Sequence, residues 1–154
     1  MIKIPIANNE QQLIITDDVL RHFDRYRQVT PEDLEAGGQL FAQIVDRKII
    51  VLKATGPTRL DIRHRINFSP NSILERITIR IMFWRGFYYV GDWHTHPEPY
   101  PSPSPEDIHS FSETFTKSRH QLAGMLMIIV GQRNSMDSLY LAIQDERGIT
   151  RLDI

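Results

Sequence analysis

Residues 92 to 107 read DWHTHPEPYPSPSPED, with His94 and His96 one residue apart and Asp107 eleven residues later. Imidazole and carboxylate are both metal-ligand types, so the spacing has to be tested for convergence. If residues 87 to 96 form a strand, His94 and His96 point to one face and Trp93 and Thr95 to the other. A bare His-x-His also fits two histidines beside a surface turn. The segment that follows argues for more. His96-Pro97 turns the chain out of the strand, and Pro99, Pro101, Pro103 and Pro105 fix φ along the return path. Ser104-Pro105-Glu106-Asp107 then sets Ser at an N-cap, Pro at the first helical position and Asp at the third. Asp107 therefore projects from a stiff first turn. There it either faces only its own helix N-terminus or completes a His, His, Asp set. Three protein ligands with a fourth position left to water is the pattern of a catalytic zinc site.

A zinc hydrolase also needs a base for the attacking water. Glu35, in EAGGQLF directly before a strand, is one of several acidic candidates, and Glu32 is the next. Gly37 and Gly38 allow the backbone there to pass close to another element. Asp92 shares the strand face of the histidines and is a candidate to orient an imidazole, with plain solvation as the alternative. His22, His64, His109 and His120 have no partner pattern and read as structural or surface. Trp84, Trp93, Tyr88 and Tyr89 read as core or flanking aromatics. Arg59, Arg63 and Arg65 form a basic stretch that suits either a solvated loop or contact with an extended substrate tail.

The elements that must position these groups follow from patterning. Thr16-Asp17-Asp18 starts a helix with Val19, Leu20, Phe23 and Tyr26 on one face, ending before Pro31. QLFAQIV and KIIVLKAT form a hairpin around Asp46-Arg47. Residues 58 to 68 read as a loop or exposed edge strand. Ser69-Pro70 is expected to cap a helix of about four turns, with Ile73, Leu74, Ile77 and Ile81 and Phe83 or Trp84 as its apolar stripe. FYYVGDWHTH is a strand, SPEDIHSFSETF a helix, GMLMIIV and SLYLAIQ buried strands, and ITRLDI a last short strand. The fold class is α+β, a mixed and mostly antiparallel sheet flanked by helices, in a single domain over residues 1–154.

Composition bounds the function from outside. The 154 residues are 41% hydrophobic and 24% charged, ordinary for a globular domain. Eighteen basic against nineteen acidic side chains leave a net charge of −1, which gives no general attraction to nucleic acid or membrane. No cysteine occurs, so thiol catalysis and thiolate metal sites are excluded. The N-terminus lacks the pattern of a signal peptide and the longest apolar run, MLMIIV, is too short to cross a bilayer, so a cytoplasmic location is expected. Barrel amidohydrolases share a His-x-His start but need about 250 residues.

Glu35-Ala36-Gly37-Gly38, then His94-Thr95-His96-Pro97, the seven residues from Pro97 to Pro103, Ser104 and Asp107 resemble the JAMM motif of metal-containing MPN, or JAB, domains. GPTRLDIRHRINFSP resembles the Gly-Pro and Phe-x-Pro regions of small bacterial members, and the likeness spans about residues 15 to 145. It implies a JAB-type domain of cytidine-deaminase-like architecture. It also implies zinc held by His94, His96 and Asp107, Glu35 as the acid/base, and Ser104 stabilising the tetrahedral intermediate. The implied activity is cleavage at the C-terminus of a ubiquitin-like protein or its conjugates, in bacteria including cyclic-oligonucleotide antiphage operons. Trimming of a sulfur-carrier protein and a metal-free scaffold are the alternatives. Asp92 departs from the eukaryotic pattern, which often has an aromatic residue there.

Overall fold

The structure, a computed structural model, describes residues 1–7, 10–117 and 124–154. His120 lies outside the described residues. Among the described residues ten strands form in chain order: β1 (Ile2–Ile6), β2 (Gln11–Ile15), β3 (Gly37–Val45), β4 (Lys48–Ala54), β5 (Ile62–Arg63), β6 (Phe68–Ser69), β7 (Tyr88–Thr95), β8 (Met125–Val130), β9 (Leu139–Asp145) and β10 (Gly148–Arg151). The helices are α1 (Asp17–Asp24), α2 (Ser72–Trp84) and α3 (Pro105–Lys117). Eight strands make one sheet in the order β1-β2-β4-β3-β7-β8-β9-β10, and β5 pairs with β6 alone. The pairs β2/β4 and β7/β8 are parallel and the other neighbours in the large sheet antiparallel. The expected α+β class, a mixed and mostly antiparallel sheet with helices on it, is what forms.

Two cores sit on opposite faces of this sheet. Val19 and Phe23 of α1 pack with Ile2, Ile4, Leu40, Trp93 and Ile128 on one side. On the other, Phe111 of α3 packs with Met127, Ile129 and Ala142. β8, between β7 and β9 with both faces covered, is buried at every position, which explains its unbroken apolar run MLMIIV. No helix among the described residues is long and apolar enough to cross a membrane.

The first helix begins after Thr16 and ends at Asp24, before Pro31, as expected, although the Thr16 hydroxyl donates to the Val51 carbonyl and makes no side-chain cap bond. Other local expectations need correction. The cap of α2 is Asn71, whose Oδ1 accepts from Leu74 N at 3.1 Å, while Ser69 ends β6. Both residues fit the capping rules; pairing of Ser69 with Ile62 decides between them. The sequence reading missed β1 and β2. IKIPI alternates buried and exposed, and Pro5 is tolerated because β1 is the edge of the sheet. No α2 residue is buried, and Ile73, Ile77, Ile81, Phe83 and Trp84 face outward.

Candidate metal centre

His94 and His96 project from the end of β7 on the α3 side, as strand alternation requires, and Trp93 and Thr95 are buried on the α1 side. Trp93 packs against Phe23, His22 and Tyr26, and its indole N–H donates to the Thr55 carbonyl at 2.8 Å. His22 is a structural histidine, bonded through Nε2 to the same carbonyl. Beyond Thr95, the proline-rich segment returns to α3, pinned by Gln132 N donating to the Glu98 carbonyl.

The start of α3 is a reciprocal cap. Asp107 N donates to Ser104 Oγ at 3.1 Å, and Ser104 N and Oγ both donate to Asp107 Oδ2 at 2.7 Å. This fixes the Asp107 carboxylate beside the histidines. Oδ1 lies 3.2 Å from His94 Nε2, Oδ2 lies 3.3 Å from His96 Nε2, and the two Nε2 atoms are 3.1 Å apart. A tetrahedral ion with bonds of about 2.0–2.1 Å requires donor atoms about 3.3 Å apart. The donor set therefore fits zinc in chemistry, and each imidazole nitrogen stands at about that separation from the other and from one of the two carboxylate oxygens.

Glu35 arrives from the segment before β3. Its donor atom and those of His94 and His96 all lie within 4.8 Å of one another, so the two imidazoles stand between Glu35 and Asp107 and in reach of both. The backbone that carries it is tightly held. Glu35 N donates to the His64 carbonyl, Ala36 N to Thr95 Oγ1 at 3.0 Å, and Thr95 N to the Ala36 carbonyl. Thr95 Oγ1 in turn donates to Oε1 of the fully buried Gln28, whose Nε2 donates to the carbonyls of Asp33 and Arg65. Gly37 and Gly38 permit this approach. A Cβ on Gly37 would stand 2.6 Å from the Phe68 ring, and one on Gly38 would stand 2.2 Å from the Thr55 carbonyl.

The electrostatics follow from the packing. Burial pushes the Glu35 carboxyl up to about 7, against the pull of His96. Burial also works to raise Asp107, but hydrogen bonds from His94, His96 and Ser104 overcome it and hold the carboxyl well below the usual range. For His96 burial acts downward, and the Asp107 hydrogen bond and charge prevail, raising its pKa.

Other sequence candidates fare differently. Asp92 bonds neither imidazole among the described residues. Its Oδ2 accepts the Tyr89 hydroxyl at 2.9 Å, Oδ1 is buried with no partner among the described residues, and burial raises its pKa to about 6. A pairing shift beside Gly91 turns Tyr89 to the same side as Asp92. Of the three arginines expected to contact substrate, two have another task. Arg63 donates to the carbonyls of Glu35 at 2.8 Å and Leu34 at 3.1 Å, and Arg65 to those of Thr30 and Pro31. They brace the segment that carries Glu35; Arg59 is exposed. His64 and His109 are at the surface. The reading missed Thr95 and Gln28. Alternation already turned Thr95 inward, whereas nothing local marked Gln28.

A mixed sheet that brings two strand histidines against the first-turn carboxylate of a helix defines an α+β domain with a candidate metal centre. The chain belongs to the prokaryotic JAB family: the model for prokaryotic homologs of the JAB domain matches residues 18–142. It is 30% identical over 133 residues to a Pseudomonas aeruginosa (strain BWHPSA011 / Pa011) protein named CD-NTase/cGAS isopeptidase, covering 84% of this chain and 82% of the relative. It is 28% identical over 132 residues to an Escherichia coli (strain TW11681) protein of the same name, with the same coverage of 84% and 82%. Among solved structures, protein DSY2949 from Desulfitobacterium hafniense shares the fold with a TM-score of 0.63 at 18% identity, over 90% of this chain and 88% of that one. A Salinibacter ruber protein gives 0.57 at 19%, over 92% and 89%.

Proposed function

We propose that the chain is a zinc-dependent isopeptidase that releases a protein's C-terminal tail from the amine to which it has been conjugated. The observation that carries this is the 3.1–3.3 Å clustering of His94 Nε2, His96 Nε2 and the Asp107 carboxylate. The names of the relatives support a conjugate of a CD-NTase/cGAS-type protein as the substrate class, with ubiquitin-like conjugates as the wider chemistry and antiphage defence as the setting. The expected cytoplasmic location belongs to the same proposal.

His94, His96 and Asp107 would hold the ion. Bound there, zinc would supply the Lewis acidity that makes water a nucleophile at neutral pH and polarises a carbonyl. Glu35, with its carboxyl raised to about 7, takes a proton from the attacking water and delivers it to the departing nitrogen as the C–N bond breaks. The products are a free carboxylate and a free amine. In the reaction Ser104 turns its single hydroxyl proton from Asp107 Oδ2, where it rests in this structure, to the oxygen on which negative charge grows. The substrate tail lies along the groove lined by Gly37, Gln39, Thr55, Phe68, Leu74 and Glu75, paired through its main chain.

The test is release of a CD-NTase-type protein from an isopeptide-linked conjugate by zinc-loaded wild type, by chelator-treated protein and by Glu35→Gln. Wild type alone is expected to cleave. A zinc-loaded wild type that leaves the conjugate intact, or a chelated protein that cleaves as fast, overturns the reading.

A further inference from the structure

Helix α2 is amphipathic, yet its strongest apolar stripe points away from the protein. Ile73, Ile77, Ile81 and Trp84 follow an i, i+4, i+8, i+11 spacing, which confines them to one face of an α-helix. Their exposures are 67%, 47%, 47% and 87%. At the C-terminal end, Phe83 and Tyr88 meet edge to face and extend the apolar surface onto β7. Phe83 and Tyr88 are themselves 61% and 46% exposed, so six large apolar residues stand together on one surface, a contiguous patch of the kind that marks an interaction site.

Charge selects the partner. Arg76 and Arg80 lie along one flank of the stripe and Arg85 follows at its end, all exposed and none in an ion pair or side-chain hydrogen bond among the described residues. The single acid of α2, Glu75, lines the groove on the helix's inner flank. In an antiparallel α2-to-α2 contact across a two-fold axis the arginine flanks of two copies would face each other, and α2 offers no acid on its outer face to pair with them, a like-charge contact that opposes association. We propose that the outer face of α2 docks a different protein, one that presents an apolar ridge, such as the seam of an amphipathic helix, flanked by acidic side chains. The apolar ridge covers Ile73, Ile77, Ile81 and Trp84, and the acids pair with Arg76, Arg80 and Arg85. This surface is separate from the metal centre and does not depend on catalysis.

The test uses the intact chain and three synthetic helical peptides. One carries a leucine seam flanked by glutamates, the second the same seam flanked by lysines, and the third the glutamates with serine in place of leucine. Trp93 is buried, so a change in indole emission that disappears in Trp84→Phe reports on the outer face. The glutamate-flanked peptide is expected to bind with a blue shift that weakens as salt rises. Its affinity should fall at least tenfold in Ile77→Ser and in the double variant Arg76→Glu, Arg80→Glu. These positions are exposed, and unchanged thermal melts will show that both variants fold. Glu35→Gln should bind like wild type. The proposal is overturned if none of the peptides binds or if the lysine-flanked peptide binds as well. It is equally overturned if Glu35→Gln abolishes binding, or if wild type sediments as a dimer that Ile77→Ser dissociates, since a second copy would then own the face.

Discussion

On one face of β7, Trp93 and Thr95 are buried against α1 and the Glu35 segment; on the other, His94 and His96 meet α3 across a cluster of titrating groups. The back face is held by neutral hydrogen bonds and aromatic packing, Trp93 to Thr55 and Thr95 to Gln28 and Ala36. The front face is held by charge-assisted contacts that, in the proposed mechanism, a cation would complete. The difference teaches how such a site is preorganised. Groups with unmet electrostatic demand are kept close by a scaffold that takes no part in the chemistry. Thr95 is the joint, since the same residue sits between the two histidines and anchors the chain beside Glu35.

The sharpest break in this comparison is His96→Ala. It should lower bound zinc from about one ion per chain to near none by elemental analysis and abolish cleavage, while the parallel change Glu35→Gln keeps the ion and lowers kcat roughly 10²–10⁴-fold. Loss of zinc in Glu35→Gln would make Glu35 a ligand. Ser104→Ala comes next, because it touches both the α3 cap and the proposed reaction. Single-turnover cleavage should fall roughly 10²–10³-fold with zinc retained, beside a stability loss of about 0.5–2 kcal/mol. A rate within a few-fold of the parent would leave Ser104 only the cap and the hold on Asp107 that the structure already contains.

A back-face change should act in the opposite proportion. Thr95→Val removes the acceptor for Ala36 N and the donor to buried Gln28, so urea unfolding should show a loss of about 1–3 kcal/mol. Zinc should still bind, and cleavage should drop less than in Ser104→Ala. Equal losses of metal and stability would erase the distinction between the faces.

The smallest effect concerns Glu75, whose carboxyl is raised to about 7 by burial, with Asp92 and Asp61 adding like charge. Its folded pKa lies above the ordinary 4.5, so the native chain keeps a proton that the unfolded chain releases. That contribution is whole below about pH 4.5 and is lost as pH rises through 7. Glu75→Gln should therefore match the parent near pH 4 and be the more stable protein at pH 8, by urea unfolding at both. A gain of the same size at both values would trace the effect to packing and not to charge.

What the sequence determined by itself is whatever short-range rules govern. Strand alternation put His94 and His96 on one side. Four prolines stiffened the return, and Ser104-Pro105-Glu106-Asp107 announced a helix start with its carboxylate in the first turn. All of this lies within sixteen residues, where steric and capping preferences act without help from the rest of the chain. Tertiary structure decided everything that required a choice among equals. Glu35 was one acid of several until Thr95, His64 and Arg63 fixed its backbone from about thirty to sixty residues away in sequence. Asn71 and Ser69 both qualified as caps until Ser69 paired with Ile62. Helical periodicity revealed the apolar stripe of α2 but not which way it turns. A period records that one face differs from the other; only the packing of Leu74, Thr78, Ile79 and Met82 toward the protein left Ile73, Ile77, Ile81 and Trp84 outside.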